Sequence, residues 1–227
     1  MPRTAQRLAC VAAAACLLGG CGADQSRRAA APRTTATAQR PAHALSDPAL
    51  AHFGLLPRAS MPLRVTGSEE IYNRSPCSPR VLLRRLATGL ATTPRYTISG
   101  GRVQQSVLLF RSPAVAAHAF DALTSPRNQR CIRRHVRIDV ATGSGSPVGS
   151  VTEQAMNVEP RGQQATAYRL LVPVYAANGD AFVDVLINRI GRSLSSVSAI
   201  WTQAPHDIAF QEALVARIAS RLAQALA

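Results

Sequence analysis

The sequence predicts an α+β domain: an antiparallel sheet of about five strands, with helices packed on one face and one disulfide. Three observations predict this class. Apolar residues recur every four positions near the C-terminus, as in an amphipathic helix. Apolar and polar residues alternate on both sides of Asn178-Gly179, as in a β-hairpin. Two cysteines, Cys77 and Cys131, lie beyond the N-terminal segment, and this even pair predicts one disulfide.

The N-terminal segment has the organisation of a secretory signal. Two arginines precede the uncharged apolar run 8–18, which is shorter than the roughly 20 residues of a membrane span. The tetrapeptide Leu18-Gly19-Gly20-Cys21 resembles the lipobox of bacterial lipoproteins, in which the cysteine is diacylated and becomes the new N-terminus. Cys21 is therefore the predicted lipidation site. The alternative is an ordinary signal peptide cleaved near Ala23.

The chain divides into three predicted parts. Residues 1–20 are the lipoprotein signal peptide. Residues 21–44 are rich in Ala, Thr, Arg and Pro without apolar periodicity, which predicts a disordered tether. Residues 45–227 form the folded domain. A lipid on Cys21 would hold this domain at the extracytoplasmic face of the cell membrane.

The cysteines are consistent with an exported protein. Of the five, Cys10 and Cys16 leave with the signal and Cys21 takes the lipid. Cys77 and Cys131 remain, and an even pair in an exported domain predicts a disulfide. A redox or metal-binding pair is the alternative, but the Cys-x-x-Cys spacing and a neighbouring histidine cluster that would favour it are missing from the sequence.

The chain is strongly basic, with a formal net charge of +14 over 227 residues. All of its basic residues apart from histidine are arginines, which together with abundant alanine is typical of a GC-rich genome. The positive charge favours anionic partners such as phospholipid head groups or acidic wall polymers. Nucleic acid is the usual partner of a basic protein, but an exported lipoprotein rarely meets it, so no nucleic-acid partner is expected.

Capping residues and apolar spacing predict the helices. A short helix follows Ser46-Asp47-Pro48, and two more begin at Ser78-Pro79 and Ser112-Pro113, where proline occupies the first helical position. Gly89 is the predicted stop of the helix after Ser78, and Pro126 of the helix after Ser112. The clearest helix follows Asp207. The apolar stripes of these last three helices are Leu82, Leu86 and Leu90; Ala116, Ala119, Phe120 and Leu123; and Phe210, Leu214, Ile218 and Leu222.

Alternation predicts five strands. Two lie near residues 103–110 and 150–158, and three follow in the C-terminal half, with turns at Asn178-Gly179 and Gly191. Trp201 falls on the apolar side of the last strand, where packing in the core is the expected role. The apolar positions of these three strands are Tyr168, Leu170, Val172 and Val174; Val183, Val185 and Ile187; and Val197, Ala199 and Trp201.

Two stretches resemble the extracellular sensor domain of the mycobacterial serine/threonine kinase PknH and related actinobacterial lipoproteins. One is SVLLFRSPAVAAHAF followed by Cys131, and the other is FVDVLINRIGRSLSSVSAIW leading to a helix that ends ARIASRLAQAL. The resemblance covers roughly residues 50–227. It implies an antiparallel sheet with a ligand-binding cleft in an extracytoplasmic sensing or binding module, without catalytic residues. That domain has two disulfides, whereas this chain can form one.

No pattern in the sequence predicts catalysis, a metal site or a cofactor. The five histidines are scattered, carboxylates are sparse, and the glycine- and serine-rich stretch 143–149 fits no nucleophile or phosphate-binding motif, so a loop is expected there. The sequence therefore predicts a protein that is not an enzyme. The five histidines are His43, His52, His118, His135 and His206.

Arginines crowd around both predicted disulfide cysteines. Arg130, Arg133 and Arg134 form the candidate anion-binding group, because guanidinium groups bind phosphate and carboxylate through paired hydrogen bonds. A solvated basic surface is the alternative. The further arginines of these two clusters are Arg127 and Arg137 near Cys131, and Arg80, Arg84 and Arg85 after Cys77.

Two functions follow from these observations. The first is a membrane-anchored lipoprotein whose extracytoplasmic domain binds or senses a ligand, such as an anionic component of the envelope. The second is an envelope structural or assembly factor that docks another protein. An apolar cleft would favour the first, and an exposed apolar patch rimmed by arginine the second.

Overall fold

The centre of the protein is an antiparallel sheet, seen in a computed structural model that describes residues 45–69, 77, 83–175, 179–202, 204–205 and 207–226. All of these residues belong to one compact unit, His43–Ala227. The sheet runs in the order β1-β3-β4-β8-β7-β6-β5, and β2 pairs with β4 beyond the end of β3. Its strands are β1 Gly67–Glu69, β2 Ala87–Thr92, β3 Arg95–Ile98, β4 Gly101–Phe110, β5 Thr152–Ala155, β6 Gln164–Val172, β7 Ala181–Ile190 and β8 Ser193–Thr202.

Four longer helices accompany the sheet in the described part of the chain. They are α1 Asp47–Phe53, α2 Pro113–Thr124, α3 Pro126–Ser144 and α4 Ile208–Leu226, with a 3-10 turn at Arg58–Ser60. The predicted apolar stripes of α2 and α4 are buried at all eight positions, which confirms both helices. The Asp207 side chain accepts a hydrogen bond from the Phe210 backbone N–H at 3.2 Å, in agreement with the predicted start of α4.

The strand register places apolar side chains on both faces of the sheet. Val183 pairs with Ile200, so Val183 and Val185 lie on the face opposite to Val197 and Trp201. One face packs against α1 and α4, and the other against α2 and α3. The domain therefore has three layers, with the sheet between two pairs of helices.

The predicted fold class and disulfide are confirmed, with two corrections. The sheet has eight strands instead of about five, because β1, β2 and β3 are short or weakly apolar and form only by pairing with one another and with β4. Helices cover both faces instead of one. The predicted apolar side chains of β6 and β7 lie on one face of the sheet, and those of β8 lie on the other. Both faces are therefore apolar, and helices bury each of them.

The predicted helix after Ser78-Pro79 is correct only in part. Residues 78–82 lie outside the described residues, and residues 83–86 are helical. Leu90, predicted to extend the stripe, instead lies in β2 and is exposed. Gly89, predicted as the stop, allows β2 to approach α1, because a β-carbon there would lie 2.3 Å from the Asp47 backbone oxygen.

Several predictions concern residues outside the described ones. They are the signal peptide, the tether and Cys21, all within residues 1–44, and Asn178 of the predicted hairpin turn. They stay predictions. None of the helices in the described ranges has the length and apolar composition needed to cross a membrane.

An ion pair fixes α1 to the turn between β7 and β8. The Arg192 guanidinium donates two hydrogen bonds to the Asp47 carboxylate, at 2.9 and 2.7 Å, and a third to the Phe110 carbonyl at 3.1 Å. Both charged side chains are about three-quarters buried. The hydrogen bond from Arg192 is the largest cause that lowers the pKa of Asp47 from 3.8 to about 2, and Thr88 adds to it.

This ion pair should make stability depend on pH in the acid range. The pKa of Asp47 is lower in the folded protein, so the stabilisation is complete above about pH 4 and lost as pH falls towards 2. We expect Asp47→Asn to destabilise the protein by about 1 kcal/mol at neutral pH, a value reduced by solvent screening of the pair. Urea unfolding at several pH values should show that the difference in the free energy of unfolding between the wild type and Asp47→Asn disappears near pH 2. A difference that stays constant over this range would contradict the assignment.

Candidate functional site

The basic residues predicted as an anion site lie on α3, which a single residue, Ser125, separates from α2. Ser125 caps α3, since its hydroxyl accepts a hydrogen bond from the Asn128 backbone N–H at 3.3 Å. The Asn128 side chain donates to the Leu123 carbonyl at 2.6 Å and ties the two helices together. Pro126 was predicted only to end a helix. It ends α2 and also occupies the first turn of α3.

Helix α3 packs against the core mainly through apolar side chains that are only partly buried. Only Asn128 and Ile132 are buried among its 19 residues. Two side-chain links add to this packing. The disulfide between Cys77 and Cys131 joins α3 to the segment before β2, and Arg133 forms an ion pair with Glu153 of β5 at 2.6 Å. Apolar packing, the disulfide and the ion pair together position this helix.

The predicted disulfide is confirmed. The Cys77 and Cys131 α-carbons lie 5.7 Å apart, within the range that a disulfide spans, and the bond closes a sequence separation of 54 residues. Cys77 is fully buried and Cys131 half-buried.

Four arginines form one stripe along the outer surface of α3. At 100° per residue their spacing of three, four and three places them within an arc of about 80°, over about 15 Å of helix. All four are exposed, and none forms a hydrogen bond or ion pair with another described residue. The exposed side chain of Ile138 falls beside them. The arginine stripe consists of Arg127, Arg130, Arg134 and Arg137.

The structure divides the predicted anion-binding group. Arg130 and Arg134 belong to the arginine stripe, whereas Arg133 lies just outside its edge, about 40° from Arg137, and forms an ion pair with Glu153. Arg85 is exposed, and Arg84 is exposed but engaged in other interactions. Arg80 lies outside the described residues.

One of the scattered histidines lies beside the disulfide. His135 follows Cys131 by one helical turn, and its ligand nitrogen lies within 4.8 Å of both sulfur atoms. These three residues are the one group of potential metal ligands among the residues that the structure describes. His52 and His118 are exposed elsewhere, and His43 and His206 lie outside the described residues.

A buried carboxylate that the sequence analysis missed links three strands to α4. Asp184 on β7 is fully buried and accepts hydrogen bonds from three side chains. Arg169 donates two, at 2.6 and 2.9 Å, and the Trp201 indole N–H and the Gln211 amide donate at 2.8 and 2.6 Å. Trp201 also packs edge-to-face against Phe210, which confirms its predicted place in the core. With its oxygens so engaged, Asp184 has a structural role.

Comparison with known proteins finds similarity among solved structures alone. Neither the family models nor the curated proteins match the chain. Among solved structures, it is similar to the extracellular domain of PknH from Mycobacterium tuberculosis, with 12% identity and a TM-score of 0.32. The match covers 57% of this chain and 58% of that structure, so the chain spans less than two thirds of its length. The likeness is weak and does not assign the chain to a family.

Proposed function

We propose that this protein is a lipid-anchored, extracytoplasmic binding module without catalytic activity, and that its arginine stripe binds anionic phospholipid at the membrane surface. The observation that carries the proposal is the stripe itself. Four exposed guanidinium groups share one helix face, and none is neutralised by a described carboxylate.

Two features support the compartment. A disulfide such as Cys77–Cys131 persists in oxidising surroundings and is rare in the cytosol. The N-terminal tetrapeptide ending at Cys21 supplies a candidate anchor. Fully extended, the predicted tether 21–44 reaches at most about 80 Å, so an anchored domain would stay close to the bilayer. Even weak contacts of the domain with lipid then strengthen the membrane binding that the anchor provides.

Charge and shape support an anionic lipid surface as the ligand. Helix α3 carries five arginines and one carboxylate, Asp139, which lies away from the stripe. Guanidinium groups bind phosphate oxygens in pairs, and each basic residue near an anionic bilayer contributes about 1 kcal/mol. The exposed Ile138 beside the stripe suits the boundary between head groups and acyl chains, where apolar side chains are stabilised.

Vesicle binding tests the stripe. In the unlipidated Cys21→Ala protein, R130Q/R134Q should weaken binding to phosphatidylglycerol-containing vesicles by about 30-fold, from the loss of two charges. The matched control R64Q/R111Q also removes two exposed arginines, neither of them on α3, and should retain most of the affinity. Vesicles of phosphatidylcholine alone should bind none of these proteins, and added salt should weaken binding to the phosphatidylglycerol-containing vesicles.

The outcomes separate the two functions. If both double variants lose affinity equally, the net charge of the protein and not the arginine stripe determines its binding to anionic vesicles. If the Cys21→Ala protein does not bind anionic vesicles at all, the alternative of docking another envelope protein gains support. In the producing cell, the same Cys21→Ala change should move the protein out of the membrane fraction at high salt. If it stays there, the anchor is not at Cys21.

A further inference from the structure

The disulfide and His135 bring together three side chains that bind soft metal ions. Cys131 and His135 are four residues apart on α3, so they share one face of the helix, and the disulfide holds Cys77 against them. Their donor atoms all lie within 4.8 Å of one another. Ligand atoms around a tetrahedral zinc are separated by about 3.5 to 3.8 Å, as follows from its bond lengths to sulfur and nitrogen. Small side-chain shifts after reduction would reach this geometry.

We propose that reduction of the Cys77–Cys131 disulfide converts this point of the fold into a zinc site with ligands Cys77, Cys131 and His135. The oxidised sulfurs are bonded to each other and supply no thiolate. A dithiol reductant gives two electrons and two protons, and it becomes a disulfide while Cys77 and Cys131 become thiols. Zn²⁺ then displaces the two thiol protons, and the neutral imidazole of His135 supplies the third ligand.

Charge and access suit this site. Two thiolates balance the charge of Zn²⁺, so a neutral site forms on a helix that already carries the arginine stripe. Cys77 is fully buried, whereas Cys131 and His135 are half-buried, which leaves the α3 side open for the ion to enter. Two cysteines and one histidine leave the fourth tetrahedral position for water or another ligand. This inference does not rest on lipid binding by the stripe.

The test uses the full chain with Cys10, Cys16 and Cys21 replaced by serine, so that Cys77 and Cys131 are its remaining thiols. After reduction with a phosphine, which brings no competing thiol, we expect one equivalent of Co²⁺ to bind with thiolate-to-cobalt charge-transfer absorption. Zn²⁺ should displace it. The oxidised protein should give no such absorption.

Two histidine variants identify the third ligand. His135→Asn should weaken Co²⁺ and Zn²⁺ binding by at least about tenfold, since even outer-shell partners of metal ligands are worth roughly that much. His118→Asn removes an exposed histidine of α2 and should leave the affinity unchanged. Equal affinities of the two variants would overturn the assignment of His135.

Circular dichroism keeps the test decisive if the reduced protein loses structure. In that case Zn²⁺ should restore the helical signal of the wild-type background but not that of Cys131→Ser, because metal binding and folding are linked. A reduced protein that neither binds Co²⁺ nor regains structure with Zn²⁺ overturns the proposal.

Discussion

Replacing Asp184 by alanine is expected to destabilise the protein by about 3–5 kcal/mol, the usual cost of removing one partner from a buried ion pair. The carboxylate is fully buried, and it is the acceptor for Arg169, Trp201 and Gln211. Without it, the Arg169 cation and two neutral donors remain in a site that water hardly reaches. Urea unfolding followed by circular dichroism measures the loss.

Two variants control this experiment. Asp139→Ala removes an exposed carboxylate of α3 and should change the free energy of unfolding by less than about 0.5 kcal/mol. The double variant D184L/R169M removes both charges and should regain much of the stability, because apolar side chains can replace a buried pair at little cost. If Asp184→Ala costs no more than Asp139→Ala, the buried carboxylate does not hold the strands and α4 together.

The elements that the sequence predicts best are those with strong apolar periodicity. Helix α4 and the strands β6, β7 and β8 have apolar side chains at regular spacing, and burial of these side chains forms each of them. β1 and β3 are three and four residues long, and β2 begins Ala-Thr-Gly. Pairing partners distant in sequence stabilise these three strands, so no local pattern predicts them.

The candidate site was predicted only in part, because α3 was not recognised as a helix. The apolar stripe of this helix, formed by Ile132, Val136 and Val140, is narrow and lies among five arginines, and Pro126 was interpreted only as the end of α2. With the helix known, the spacing of Arg127, Arg130, Arg134 and Arg137 predicts the stripe, and the spacing of Cys131 and His135 predicts that they lie side by side. Asp184 had a signal of its own, since a single carboxylate within an apolar strand requires a buried partner.

Replacing both disulfide cysteines, in the variant C77S/C131S, is expected to destabilise the protein by about 4 kcal/mol. The estimate comes from the chain entropy of a loop closed over 54 residues. Local opening should increase most in α3, because only two residues of this helix are buried. Amide hydrogen exchange should therefore show faster opening of α3 than of β7 and β8 in the variant, and urea unfolding gives the total loss.

Reduced wild-type protein separates the effect of the covalent bond from that of the metal. Reduction and the C77S/C131S substitution both remove the cross-link, so without metal they should lose similar stability. Only the reduced protein keeps the two thiols, and Zn²⁺ should therefore slow hydrogen exchange in its α3 but not in the serine variant. If α3 exchanges as slowly in C77S/C131S as in the oxidised protein, the ion pair of Arg133 with Glu153 and the apolar packing of α3 against the core suffice to hold it. The disulfide would then stabilise the protein mainly through the unfolded state, and reduction would leave α3 and its arginine stripe in place.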